Sequence, residues 1–248
     1  MQISPAIPNC CSHTTRRGFL KTAGIATAGA LLSAGLFPQL AYAAALTKAQ
    51  RDKLTPDEII AMMKRGNERF RSGKKTTQDF LAQQRASAKG QYPAAVILSC
   101  IDSRASAETI MDLGIGDVFN ARVAGNIAND DILGSMEFAC AAAGAKVVLV
   151  MGHTACGAIK GAIDDVQLGN LTGLLARIQP AVKATAYQGD RTAKNYAFVD
   201  AVARKNVELT MENIRKGSAV LSDLKAKGAI NIVGAMYDIA SAKVDFFS

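Results

Sequence analysis

Two short clusters contain the most reactive side chains of the sequence. Cys100 follows directly after the apolar run at residues 94–99, and His153 and Cys156 follow the apolar run at residues 146–151. Thiolate sulfur and imidazole nitrogen are ligands that zinc prefers in proteins, and three protein ligands leave a fourth position for water. The three residues therefore predict a catalytic zinc site, provided that the two apolar runs lie side by side in the fold.

Each of these elements has a plainer interpretation when it is taken alone. An isolated His-x-x-Cys pattern is often incidental, and a single cysteine such as Cys100 is often a small buried apolar side chain. Their joint position after two apolar runs favours the metal site. His153 is also the one histidine of the sequence downstream of residue 43.

The elements that must position these side chains have the pattern of an α/β protein. Five segments have strand patterns, at residues 94–99, 118–123, 146–151, 230–237 and 242–247. Helical patterns separate them, at residues 132–143, 157–164, 170–187 and 194–216. This alternation predicts a mostly parallel β-sheet flanked by helices. Side chains that follow neighbouring parallel strands meet outside the carboxyl ends of the strands, where the zinc site would form.

A helical arm is predicted before the first strand. Thr55, Pro56 and Glu58 supply a capping hydroxyl, a proline at the first helical position and a carboxylate three residues after the cap. Apolar residues continue at helical spacing to Phe70, and a second helix is expected at residues 79–89. We expect this N-terminal helical arm to lie against another surface, with a partner subunit as one candidate.

Residues 1–43 have the pattern of an export signal. The stretch Thr-Arg-Arg-Gly-Phe-Leu-Lys at residues 15–21 resembles a twin-arginine (Tat) motif. The mild apolar stretch that follows, at residues 22–37, is shorter than the roughly 20 residues that span a bilayer. Residues 41–43 then form an Ala-Tyr-Ala cleavage motif. We therefore expect twin-arginine translocation and cleavage in place of a transmembrane anchor.

Cleavage after Ala43 or Ala45 would leave one domain at residues 44–248, since no repeat or low-complexity linker divides that segment. We expect this domain to be periplasmic or otherwise exported, without stable membrane association. Part of the formal net charge of +8 lies in the signal, and the other basic residues are interspersed with acidic ones. No basic stripe interleaved with aromatic residues is present, so nucleic acid is not an expected partner.

Three cysteines remain after removal of the signal, namely Cys100, Cys140 and Cys156. An odd number excludes a complete disulfide framework. Cys140 lies in an apolar run and is interpreted as a core residue, with a reactive or cross-linking thiol as the alternative.

The motif Cys-x-Asp-Ser-Arg at residues 100–104, followed by His-x-x-Cys-Gly at residues 153–157, resembles the signature of the β-class carbonic anhydrases. The stretch at residues 121–126 is similar to the family's Arg-Asn-Ala-Gly-Asn segment, with Val123 where the family usually has Asn. The resemblance covers roughly residues 55–247. It implies a β-carbonic anhydrase-like fold and reversible hydration of carbon dioxide to bicarbonate and a proton by zinc-bound hydroxide.

Carried over residue by residue, the resemblance implies one Zn²⁺ per chain, held by Cys100, His153 and Cys156. It also implies a catalytic pair in which Arg104 keeps Asp102 ionised and oriented, so that Asp102 accepts a proton from zinc-bound water. In some members of the family the equivalent Asp takes the fourth zinc position, so Asp102 is also a candidate ligand. The family further implies a homodimer or homotetramer whose N-terminal helices wrap a neighbour.

Two other functions fit the same residues. The same zinc site could hydrolyse CS2 or COS, and only the shape of the access channel would separate that activity from CO2 hydration. A non-catalytic zinc-binding protein would keep the three ligands but would not need Asp102 and Arg104. The intact pair therefore favours an enzyme, and we expect a carbonic anhydrase.

Overall fold

The computed structural model describes residues 45–248, and the predicted export signal at residues 1–43 lies outside them. The strands are β1 (Ala95–Ser99), β2 (Val118–Arg122), β3 (Val147–His153), β4 (Asn231–Tyr237) and β5 (Val244–Phe247). They form one sheet in the order β2-β1-β3-β4-β5. The first four strands are parallel and β5 is antiparallel to β4, which confirms the predicted mostly parallel sheet.

Helices flank this sheet, as predicted. They are α1 (Lys48–Lys53), α2 (Pro56–Arg71), α3 (Phe80–Ser87), α4 (Ala107–Ile110), α5 (Asp130–Glu137), α6 (Gly157–Ile163), α7 (Gly169–Ala176), α8 (Gln179–Ala184), α9 (Tyr196–Gly217) and α10 (Ala219–Ala226). A 3₁₀ turn at Ala124–Asn126 and a π-helical turn at Phe138–Ala142 complete the set. The sequence patterns did not predict the short helices α1, α4 and α10. Within the described residues, no helix is both long enough and apolar enough to cross a membrane.

The segment at residues 170–187, predicted as one helix, is two helices. Pro180 lies in the first turn of α8, where a proline is tolerated because the N–H that it lacks would have no helical partner. A continuous helix through this position would lose a backbone hydrogen bond. The chain therefore turns between α7 and α8.

Alternate residues of the central strands enter two different cores. Leu149 of β3 faces the core that contains Ile59 and Met63 of α2. Val150 faces the opposite core, which contains Val207 of α9. Full burial of each of these side chains contributes roughly 1.5–3 kcal/mol. Helix α2 thus buries its apolar face on this chain's own sheet, whereas Phe80 and Leu81 of α3 are exposed.

Asn67 ties the arm to distant parts of the chain. Its amide nitrogen Nδ2 donates to the carbonyl oxygens of Ile110 and Ala242, at 3.2 and 2.9 Å. Its oxygen Oδ1 accepts from the backbone N–H of Val244 at 3.0 Å. The Asn67 side chain is buried, so these bonds fix α2 against α4 and the start of β5.

Candidate metal centre

The sheet register brings the two reactive clusters together. β1 and β3 are neighbours, with Ser99 paired to Met151, so Cys100 leaves β1 at the edge where β3 ends at His153. Cys156 follows three residues later and begins the turn into α6. The ligand atoms of the three predicted residues all lie within 4.8 Å of one another, and all three residues are buried.

The donor set fits a zinc ion. The sulfurs of Cys100 and Cys156 are 3.9 Å apart. The Nδ1 atom of His153 lies 2.9 Å from the carbonyl oxygen of Thr154, which assigns its proton to that nitrogen. Nε2 of His153 is buried and has no hydrogen-bond partner among the described residues. Buried polar atoms are normally hydrogen-bonded, so an unpartnered imidazole nitrogen beside two thiols is what a metal ligand requires.

Backbone amides face the two sulfurs. The N–H of Gly125 donates to Sγ of Cys100 at 3.4 Å, and the amides of Ala158 and Ile159 lower the pKa of Cys156. The hydrogen bond from Cys156 lowers the pKa of Cys100 to about 4, whereas the same bond and burial raise the pKa of Cys156. Two thiolates so close together repel each other unless a cation pairs with both, as zinc does.

Asp102 and Arg104 form the predicted pair at the mouth of the site. Nε of Arg104 donates to Oδ1 of Asp102 at 3.0 Å, and Nη2 donates to Oδ2 at 2.8 Å. These hydrogen bonds hold the pKa of Asp102 well below its usual range, despite its partial burial. Oδ2 of Asp102 lies 3.8 Å from Nε2 of His153. The pair therefore borders the ligand set, which distinguishes it from an ordinary surface ion pair.

Arg122 holds the backbone of the first cluster. Its Nε donates to the carbonyl oxygen of Cys100 at 2.9 Å, and its Nη2 donates to that of Asp102 at 2.6 Å. The charged side chain of Arg122 thus binds neutral carbonyl groups. These bonds fix the segment from Cys100 to Asp102, which contains a predicted zinc ligand and the carboxylate of the predicted pair.

The loop between His153 and Cys156 is held from two sides. The N–H of Thr154 donates to the carbonyl oxygen of Tyr237 at 2.9 Å, at the end of β4. The N–H of Ala155 donates to Oδ1 of Asp200 on α9 at 2.8 Å. Burial raises the pKa of Asp200, while the hydrogen bond from Ala155 acts in the opposite direction. The sequence gives no local signal for Asp200, because it lies 45 residues away from its partner.

A cavity of about 240 Å³ adjoins Cys100 and Asp102. The rest of its lining consists of small or apolar residues, namely Ile101, Ala124, Gly157, Ala158, Gly161, Leu171 and Leu175. A small apolar molecule fits such a lining, and Asp102 is the one charged residue in it.

Cys140 lies away from this site. It is buried among the apolar side chains on the α9 side of the sheet, and burial raises its pKa to about 12. Its surroundings are those of a core residue, as the sequence pattern predicts.

Comparison with known proteins identifies a consistent group of relatives. Residues 95–244 match the protein family described as "Carbonic anhydrase". The chain is 34% identical over 183 residues to carbonic anhydrase 2 of Mycobacterium tuberculosis, a match that covers 71% of this chain and 86% of the relative. It is 30% identical over 192 residues to a carbonic anhydrase of Mycolicibacterium smegmatis, covering 75% of this chain and 90% of that protein.

Solved structures show the same fold. A structure described under two tetrameric β-carbonic anhydrases from Sordaria macrospora matches with a TM-score of 0.60 and 26% identity, covering 65% of this chain and 83% of that one. The β-carbonic anhydrase CafA of Aspergillus fumigatus matches with a TM-score of 0.58 and 27% identity, covering 66% of this chain and 79% of the other.

Proposed function

The chain belongs to the β-class carbonic anhydrase family, and we propose that it hydrates carbon dioxide reversibly to bicarbonate and a proton with one zinc ion held by Cys100, His153 and Cys156. The observation that carries the proposal is the buried convergence of two sulfurs and one unpartnered imidazole nitrogen. When bound, zinc supplies a Lewis acid that makes hydroxide available from water near neutral pH.

Asp102 orients the attacking water. Its Oδ2 atom lies beside the ligand set, 3.8 Å from Nε2 of His153, where it can accept a hydrogen bond from a water molecule at the reacting centre. Because Arg104 keeps the pKa of Asp102 so low, the carboxylate is a weak base. Asp102 therefore orients the water by accepting a hydrogen bond from it, in place of the expected proton transfer to Asp102, and the proton that hydration releases passes to solvent or buffer.

Both oxygens of Asp102 accept hydrogen bonds from Arg104. This arrangement supports a position of Asp102 beside the zinc ion over its alternative role as fourth ligand. The apolar cavity next to Asp102 suits CO2, which carries no net charge. The half-exposed guanidinium of Arg104 offers a positive charge to the bicarbonate anion at the mouth of the site.

Stopped-flow CO2 hydration by zinc-loaded protein, from about pH 6.5 to about pH 9, tests the proposal. Asp102→Asn should keep the zinc and lose about 100-fold or more in turnover. The amide has one acceptor oxygen, so its NH2 group would face either a donor of Arg104 or the water that Asp102 orients. Asp223→Asn, on the exposed face of α10, is the matched control and should behave as the parent. Weaker zinc binding by Asp102→Asn would instead indicate that Asp102 is a ligand.

The same preparation separates the competing functions. Zinc at one ion per chain without CO2 hydration at any pH would contradict the proposal. Turnover of CS2 or COS under those conditions would then support the sulfur substrates, and no turnover at all would support a zinc-binding role. The name carbonic anhydrase, which the curated relatives carry, supports CO2.

We further propose that the domain at residues 44–248 is exported by twin-arginine translocation and acts in the periplasm or outside the cell as a homodimer or homotetramer. The arginine pair and the cleavage motif at residues 41–43 support export. The description of the Sordaria relatives as tetrameric supports assembly. Light scattering on the mature protein as it elutes from a size-exclusion column measures the mass of the oligomer. A mass equal to that of one chain would contradict the proposed homodimer or homotetramer.

A further inference from the structure

The two ligands of the second cluster are joined by a backbone turn that L-residues rarely adopt. Ala155 has a φ of 55°, in the left-handed region. Outside glycine this region is unfavourable, because Cβ comes close to the backbone carbonyl. The turn is required here because the chain must leave β3 at His153 and return Cys156 to the same point within two residues. Something must therefore keep Ala155 in this conformation.

A carboxylate on another element holds the strained residue. The N–H of Ala155 donates to Oδ1 of Asp200 at 2.8 Å, across 45 residues of chain. Asp200 lies on α9 between Val199 and Val202, which are fully buried in the same apolar cluster as Cys100 and Cys156. The helix that carries the acceptor is thus packed directly against the metal-binding side chains.

A glycine at the end of β3 allows α9 to approach this loop closely. A Cβ on Gly152, the residue before His153, would lie 2.7 Å from Cγ2 of Val207 and 3.6 Å from the carbonyl oxygen of Ala203. Glycine at this position lets the helix lie close to the end of the strand. This close packing places the Asp200 carboxylate within hydrogen-bond distance of the Ala155 N–H.

We propose that Asp200 is a positioning residue of the metal centre, which fixes the Ala155 turn and thereby sets the separation of His153 and Cys156 for zinc. The inference rests on the proposed zinc-dependent function. Partners that hold ligands in place affect metal affinity without touching the metal. The hydrogen-bond acceptor at Asp200, and not its charge, carries the effect.

Three variants separate the effect of the hydrogen-bond acceptor at Asp200 from the effects of its charge and of the strained backbone at Ala155. Asp200→Ala removes the acceptor and should weaken zinc binding by roughly 10- to 100-fold. Asp200→Asn keeps an oxygen acceptor for the N–H of Ala155 and should bind zinc almost as the parent does. Ala155→Gly combined with Asp200→Ala should recover part of the loss, because glycine adopts the left-handed turn without strain. Asp223→Ala on α10 is the control for removal of an acid elsewhere.

Zinc affinity is measured by competition with a chromophoric chelator, and the visible absorption of cobalt-substituted protein reports the ligand geometry. Parent-like affinity and an unchanged cobalt spectrum in Asp200→Ala would overturn the inference. Equal losses in Asp200→Ala and Asp200→Asn would also overturn it, since charge would then be the cause. CO2 hydration by the parent is measured separately, so a parent that binds zinc without turnover refutes the proposed function and still tests Asp200.

Discussion

Arg104 binds Asp102 in a bidentate manner, through Nε to Oδ1 and Nη2 to Oδ2, and its backbone N–H donates to Oδ1 as well, at 2.9 Å. The carboxylate has therefore little rotational freedom. Its Oδ2 atom stays near Nε2 of His153, so the orientation of the Asp102 carboxylate depends on the side chain and backbone N–H of Arg104.

Replacement of Arg104 should lower activity without removing zinc. Arg104→Lys keeps the positive charge but cannot make two parallel hydrogen bonds, so we expect a loss of roughly 10- to 100-fold in kcat/KM. Arg104→Ala should lose at least as much. Stopped-flow assays at matched zinc content check the prediction, and a fully active Arg104→Lys would show that charge alone suffices.

The predicted ligands and the core cysteine should respond differently to the same substitution. Cys156→Ser removes one sulfur from the buried trio, and the protein should then retain much less than one zinc per chain. Cys140→Ser serves as the matched control, because Cys140 is buried elsewhere in the core. Elemental analysis after dialysis against a weak chelator measures both. Equal zinc in the two variants would contradict the assignment of the site.

Asp112 should contribute to stability in a pH-dependent way. Its side chain is fully buried, and burial would raise its pKa, but hydrogen bonds from the backbone and hydroxyl of Thr76 and from Arg69 outweigh burial and lower the pKa. The ionised form therefore stabilises the folded state above the unfolded pKa of about 4, and this contribution is lost as the pH falls through the lower folded pKa.

Asp112→Asn places an amide nitrogen against these donors and should lower the free energy of unfolding by about 1–3 kcal/mol near pH 7. The difference from the parent should shrink as the pH falls below about 4. Urea unfolding at both pH values measures it, and the exposed Asp223→Asn is the control. A difference that does not depend on pH would show that the charge of Asp112 is unimportant.

Cys140 should be unreactive in the folded protein. Burial raises its pKa to about 12, so very little thiolate exists near neutral pH and the sulfur is also shielded from solvent. Iodoacetamide should leave the peptide that contains Cys140 unmodified in the native protein and alkylate it fully after unfolding. Mass spectrometry of the digested protein checks this, and rapid native alkylation would support the reactive-thiol alternative.

Export should depend on the arginine pair in residues 1–43. A chain with both Arg16→Lys and Arg17→Lys keeps the positive charge but loses the twin-arginine motif, so the uncleaved protein should accumulate in the cytoplasm. Cell fractionation and N-terminal sequencing of the exported parent measure this and locate the cut after Ala43 or Ala45. Normal export of the double variant would indicate another route.

The sequence predicted the parts of the site that depend on a single strand end. Cys100 and His153 follow apolar runs, and the pairing of β1 with β3 brings them together as parallel strands require. The family resemblance supplied Asp102 and Arg104, which are close in sequence and contact each other directly. Local pattern and short spacing were sufficient for these residues.

Contacts between distant segments could not be predicted. Asp200 approaches Ala155 only because α9 packs against the end of β3, and no spacing rule encodes that packing. The break between α7 and α8 depends on whether Pro180 kinks or interrupts a helix, which tertiary packing decides. The contacts of Arg122 could not be predicted either, because its partners are backbone carbonyls, which have no sequence signature.

The long-range hydrogen bonds of Asn67 also limit the order in which parts of the domain can fold. Its oxygen accepts from the N–H of Val244, 177 residues further along the chain, and its nitrogen donates to the carbonyl oxygen of Ala242. During synthesis, α2 can form early and pack on β3, but its hydrogen bonds to Ala242 and Val244 can form only after the end of the domain has left the ribosome. Loops of this length close slowly, so the amide of Val244 should become protected from hydrogen exchange late in refolding, after the amides of α2.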